Sequence, residues 1–275
     1  MSFRFVVFLA FSFACSSVFA HDTFLKLDRH YLQPNTRASV VLTNGTFETS
    51  ENSVALERFR DSRITGPDSN SSLTPEASQW TVTERLNTLS FETGDSGTYC
   101  VGVSIKPRVL EMTVASFERY LRNDGVLDIL EARQSSGPAD GLIAEEYSKH
   151  VKALFQVGDK RTDSVLEPFG YPIEIVPLEN PFDLSVGGIL PVKVLRDGVP
   201  VKQQRVYASY AGFSTRSDSE AHLDAVATKT DENGIAQIPI EAAGRWYVRL
   251  IHMVPRTEPG LDYESNWATL TFEID

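Results

Sequence analysis

Short runs of alternating apolar and polar residues, cut by turn residues, fill the chain from His21 to about Met112. Thr23-Phe24-Leu25-Lys26-Leu27 and Ala38-Ser39-Val40-Val41-Leu42 alternate with a period of two and are separated by Pro34-Asn35. Asn44-Gly45 marks a turn, Gln79–Val82 and Thr88–Phe91 are further strand-like runs, and Thr93-Gly94-Asp95-Ser96-Gly97 feeds the run through Cys100. A period of two places successive side chains on opposite faces of a sheet, so this region predicts an antiparallel β-sandwich over 21–112.

The period changes at Thr113. Val114, Phe117, Tyr120 and Leu121 recur at helical spacing, and so do Ala144, Tyr147, Val151, Leu154 and Phe155. Gln134-Ser135-Ser136-Gly137-Pro138 reads as the loop between them. The expectation is a helical connector over 113–170. Strands return from Tyr171: Gly188–Leu195 runs into Arg196-Asp197-Gly198, and Gly244–His252 and Trp267–Phe272 are long strands near the end. This part predicts a second sandwich over 171–275, immunoglobulin-like or transthyretin-like. The fold expected is therefore mainly β, with two sandwich domains and a helical segment between them. No repeat of 20–50 residues marks a solenoid or a propeller.

The first 20 residues do not belong to that pattern. Arg4, an apolar run from Phe5 to Ala14 and the ending Val18-Phe19-Ala20 read as an export signal cut between Ala20 and His21. A lipid anchor at Cys15 is the competing reading, disfavoured by the bulky Phe13 upstream. Of 275 residues, removal of 20 leaves 255, and no later stretch approaches the ~20 apolar residues of a membrane span. The mature chain is expected to be exported and soluble, with no direct membrane insertion. Removal of Arg4 leaves 25 basic against 37 acidic residues, a net charge of −12. That balance argues against nucleic acid as a partner. Loss of Cys15 leaves Cys100 as the one thiol, so no internal disulfide forms and the core must supply the stability.

Cleavage at that point would give His21 a free α-amine beside its imidazole, and the two nitrogens can close a chelate ring on one metal ion. The chain has four other histidines. His252 ends a long strand, next to Met253 and close to Glu264, and pairs best with His21 as a second ligand. Its alternative is a strand-end residue bonded to backbone groups; for His21 the alternative is a frayed terminus. His150 reads as part of a helix, His222 as part of an acidic loop and His30 as a turn residue. Imidazole nitrogens suit nickel, copper and zinc, with geometry selecting among them. Gly-x-Ser-x-Gly, phosphate-binding glycine loops, His-Glu-x-x-His and Cys-x-x-Cys are all absent, which removes the familiar hydrolase and nucleotide-binding motifs.

Five stretches together resemble a known family. They are His21-Asp22-Thr23-Phe24-Leu25, Phe117–Leu121 with Gly125, Tyr147–Leu154, the Gly170–Pro177 segment with Glu174, and Gly244 through His252-Met253 to Phe272. In this order they are similar to the DUF4198-type periplasmic proteins, described as components linked to nickel or cobalt uptake. The resemblance implies a protein that binds a metal ion and serves a membrane metal transporter. With the residue reading it yields an expected ligand set of His21, His252, Glu264 and Met253 for nickel or cobalt. A copper site of the histidine-brace type, serving storage or oxidative chemistry, and a β-sandwich interaction module without metal remain the alternatives.

Overall fold

The computed structural model describes residues 21–68, 72–136, 141–213 and 223–275. The chain is mainly β and sandwich-like, as the alternating pattern predicts. Its strands are β1 (Asp22–Lys26), β2 (Tyr31–Leu32), β3 (Arg37–Gly45), β4 (Phe59–Thr65), β5 (Trp80–Val82), β6 (Asn87–Glu92) and β7 (Gly97–Thr113). Helices α1 (Val114–Asn123) and α2 (Leu127–Ser135) follow, and then the long strand β8 (Leu142–Val157). The rest comprises β9 (Ile173–Pro177), β10 (Ile189–Arg196), β11 (Val199–Pro200), β12 (Arg205–Tyr210), β13 (Val226–Lys229), β14 (Ile235–Pro239), β15 (Gly244–Pro255) and β16 (Tyr263–Ile274).

Three sheets form three layers. The central sheet has the order β13-β12-β15-β16-β8-β7-β4, with β2 pairing beside the end of β8. A first outer sheet, β1-β3-β6-β5, covers one face of it; a second, built on β10 with β9, β11 and β14, covers the other. Strand alternation allows one central sheet to serve two cores. Val101, Val103, Val151, Ala153 and Phe155 pack with Leu25, Val40, Leu42 and Leu89 of the first outer sheet. Cys100, Leu154, Val248, Leu250, Ala268, Leu270 and Phe272 pack with Ile175, Leu190, Val192, Val194 and Ile238 of the second. Fully burying one such side chain is worth ~1.5–3 kcal/mol, and Leu25, Val40, Leu190, Phe155 and Phe272 are all completely enclosed.

α1 begins where the sequence predicts. The Thr113 side chain accepts a bond from the Ser116 amide as its N-cap, and Phe117, Tyr120 and Leu121 are the buried stripe. The stripe lies with Ile251, Met253 and Trp267, so the helices cover the central sheet on the same face as β1.

The expected second helix is a strand. Leu142–Val157 pairs antiparallel with β7 and parallel with β16. All fifteen of its positions from Ile143 onward are buried or half-buried, on both faces, so the period of two is lost among apolar and polar residues alike. Ala144, Tyr147, Val151, Leu154 and Phe155 therefore mimic a helical stripe while lying on alternate sides of a sheet. The helical part of the connector ends at Ser135, and the boundary drawn at 113–170 does not separate two sheets. β4 and β7 from the first half and β12, β13, β15 and β16 from the second join through β8 into one layer. Among the described residues no helix is long and apolar enough to cross a membrane.

Candidate functional site

β1 lies across the central sheet rather than in it. Thr269 and Thr271, on the β16 face opposite Ala268 and Leu270, donate to the carbonyls of Thr23 (2.7 Å) and Leu25 (2.6 Å). The buried Lys149 ammonium donates to the carbonyl of His21, to Thr23 Oγ1 (3.2 Å) and to Asn44 Oδ1 (2.9 Å). His21 is thus anchored at its own carbonyl and at the next residues; the frayed-terminus alternative does not describe this segment. The imidazole Nε2 is 3.1 Å from a carboxylate oxygen of Glu51, with the ring about one-fifth exposed.

Beneath β1 is a buried ionic cluster that sequence reasoning missed. Arg249 pairs with Asp224 at 2.7 Å and Asp22 at 3.7 Å, donates to the Asp124 carbonyl at 3.2 Å and lies 4.8 Å from the centre of the Tyr207 ring. Tyr247 donates to Asp224 at 2.7 Å. Glu145 accepts from Ser265 and from Tyr120 (3.1 Å). Burial lowers the Lys149 ammonium to about 8 against the pull of Asp22, and burial next to Asp22 raises the Asp124 carboxyl to about 8. Burial also raises Glu145, whereas for Arg249 it is outweighed by Asp224 and Asp22, which hold the guanidinium above its ordinary value. The available signal was a charged residue inside an apolar strand run, as at Trp246-Tyr247-Val248-Arg249-Leu250-Ile251. One sequence gives no partner for such a charge.

The other expected ligands are placed elsewhere. His252 alternates with Val248 and Leu250 on the face toward the second outer sheet, and its Nδ1 is 2.9 Å from Gln204 Oε1. Burial, with Arg196 nearby, lowers its pKa. Met253, one residue on, is buried on the opposite face with Trp267 and the helices. Glu264 sits on the His252 face, bonded to Arg196 (2.6 Å), Arg256 (3.0 Å) and Asn266 (2.9 Å); its pKa is lowered because these bonds outweigh burial. The structure therefore does not gather His21, His252, Met253 and Glu264 into one place: the central sheet separates His21 from His252 and Glu264, and the Met253 side chain is turned into a core.

His150 is buried in β8 instead of lying on a helix surface. Its Nδ1 faces Ser104 Oγ and its Nε2 faces Ser148 Oγ, each at 2.9 Å, and Ser148 donates to Asn266 at 2.8 Å. With Ser148 donating onward, Nε2 carries the proton and Nδ1 accepts. Burial, assisted by Arg60, lowers His150 to about 3. His30 is also buried, against the Leu154 carbonyl, and burial lowers it to about 4, so it is a core residue and no simple turn. His222 and the leader 1–20 lie outside the described residues. Among the described residues no group of three or more His, Cys, Asp or Glu side chains converges as a ready metal cage.

The sequence profile described as "Domain of unknown function (DUF4198)" matches residues 18–254. The chain belongs to the DUF4198 family. The matched span reaches from just before His21 across both outer sheets and most of β15, so the DUF4198 unit includes the ionic cluster. No curated protein matches the chain. Among solved structures, this DUF4198 protein is similar to the D0-D1 domain of intimin at 11% identity, covering 92% of this chain and 97% of that one, with a TM-score of 0.20. It is also similar to a DUF3823 family protein from Bacteroides uniformis, at 11% identity, 93% and 100% coverage and a TM-score of 0.24. A DUF4785 family protein from Legionella pneumophila matches at 8% identity, with 82% and 50% coverage and a TM-score of 0.24.

Proposed function

We propose that the chain is exported to the periplasm, cut between Ala20 and His21, and that it binds a divalent transition metal ion, nickel or cobalt, as cargo for uptake by a membrane transporter. The terminal amine and Nδ1 of His21 are the protein ligands. The observation that carries this reading is the Nε2–Glu51 distance of 3.1 Å. An amine–imidazole chelate on one residue uses Nδ1, which leaves Nε2 to be held by another group. A carboxylate on the far nitrogen fixes the tautomer and raises the basicity of the ligating nitrogen, as outer-shell partners of metal-bound histidines do. The Lys149 bond to the His21 carbonyl adds rigidity where first residues are ordinarily loose.

Two protein donors leave the remaining coordination positions to water or to an incoming ligand, which suits a carrier that must release its ion. His252, Glu264 and Met253 are not part of this reading. A copper brace needs a second histidine at the same ion; among the described residues His30, His150 and His252 are each engaged elsewhere.

Calorimetry with nickel, cobalt, copper and zinc on processed protein tests the proposal, beside a form with one extra residue before His21. Tight nickel or cobalt binding should vanish in the extended form and should weaken below about pH 6, where imidazole and amine are protonated. Glu51→Gln should weaken it roughly 10- to 100-fold. Unchanged affinity in the extended form would overturn the terminal chelate.

A further inference from the structure

On the face opposite His21, two irregularities in the central sheet meet at one small cleft. Arg60 is an extra residue in β4, inserted between the pairs Phe59–Ile105 and Asp61–Ser104. Lys106 and Pro107 of β7 together oppose Ser148 of β8, between the pairs Ile105–Lys149 and Arg108–Tyr147. Bulges of this kind re-aim side chains and are over-represented beside active sites. Here Arg60, Pro107 and Ser148 line one cavity of about 200 Å³, closed by Arg196, Glu146 and Asn266.

The floor is fixed by the bonded series Ser104–His150–Ser148–Asn266–Glu264, whose links are 2.8–2.9 Å. Glu264 is matched by Arg196 and Arg256, and Asp197 lies 3.3 Å from Arg196 Nε. What remains unmatched is informative. Arg196 Nη1 is buried without a hydrogen-bond partner, and a buried donor left unsatisfied costs about 1–3 kcal/mol. Arg60 and Glu146 both line the same cavity, and among the described residues neither forms an ion pair or side-chain hydrogen bond. A simple anion there would meet Glu146, and a simple cation would meet Arg60 and Arg196. A ligand carrying both charges at close range pairs with Arg60 and Glu146 together.

We propose that this cleft binds a small free α-amino acid, its carboxylate held by Arg60 beside the Arg196 guanidinium and its ammonium by Glu146. The two prolines in the lining, Pro107 and Pro172, supply the apolar wall against the ligand's carbon atoms. The volume is below the roughly 300–1,000 Å³ of drug-sized pockets, which limits the ligand to a short side chain. The site is independent of the His21 reading, because the central sheet lies between them.

The test is calorimetric titration of processed protein with glycine and alanine, and with acetate and methylammonium as half-ligands, all in excess EDTA so that no metal ion contributes. Glycine or alanine should bind saturably at millimolar concentration or below, with each half-ligand at least about tenfold weaker. Arg60→Ala and Glu146→Gln should each lower the amino-acid affinity at least about tenfold while leaving far-UV circular dichroism and the melting temperature unchanged. Absence of saturable binding overturns the proposal. Acetate binding as tightly as glycine overturns it in favour of an anion site, and either variant leaving the affinity intact places the binding elsewhere and overturns it too.

Discussion

Arg249→Met removes the one cation that faces both Asp224 and Asp22, and its consequence can be worked from the contacts. The Arg249 and Asp224 side chains are 2% and 1% exposed and 2.7 Å apart; Asp22, 3.7 Å from the guanidinium, is 1% exposed. Methionine fills most of the volume, so little of the loss comes from a cavity. What remains is a pair of buried carboxylates, one still held by Tyr247. Breaking a buried ion pair by removing one partner costs roughly 3–5 kcal/mol. At ~2–4 °C per kcal/mol for a domain of this size, that lowers the melting temperature by roughly 6–20 °C. Adding Asp22→Asn to Arg249→Met should recover part of the loss, because one of the two uncompensated charges is gone. The assay is urea denaturation of processed protein followed by circular dichroism at pH 5 and pH 8. A loss below ~1 kcal/mol at both pH values would mean that the cluster is satisfied by water and that the buried-charge argument is wrong.

Two further outcomes follow from the same physics. Asp124 is raised to about 8, mainly by burial, so folding takes up a proton between about pH 4 and pH 8 and stability contributed there is lost as pH rises through about 8. Asp124→Asn should flatten that part of the stability–pH curve, while a slope equal to the parent's would remove Asp124 as its source. Glu174 accepts from the amides of Phe169 and Tyr171, each at 2.7 Å, and from Lys152 at 3.1 Å, so Glu174→Gln should cost roughly 3–5 kcal/mol by leaving the buried ammonium without its counter-charge. A melting temperature within a degree or two of the parent's would show that the buried Lys152–Glu174 pair contributes little to stability.

Local chemistry made the outer strands and the first helix legible. In β3, Val40 and Leu42 are buried while Ser39 and Val41 beside them keep some exposure, and Thr113 supplies the cap that starts α1. β8 was illegible for the opposite reason. Both its faces are covered, so polarity carries no period, and Lys149, His150, Lys152 and Gln156 are buried beside apolar residues. The candidate site divides in the same way. The apolar stretch and the histidine after it are written in the chain, so His21 was visible as a candidate; Glu51 was not, because a turn after β3 brings it back to β1.

By itself the sequence determined that this is a mainly β chain with an apolar stretch ahead of His21 and strands through 23–27, 38–42, 97–103, 244–252 and 267–272. It determined these because each rests on neighbours a few residues apart. Tertiary structure alone decided that β8 joins the two halves into one sheet and that His21 and His252 lie on opposite sides of it. It also decided that Asp22, Asp224 and Arg249 meet in the interior. Those outcomes depend on pairing and face, and a strand shows its face only after its partners on both sides are in place.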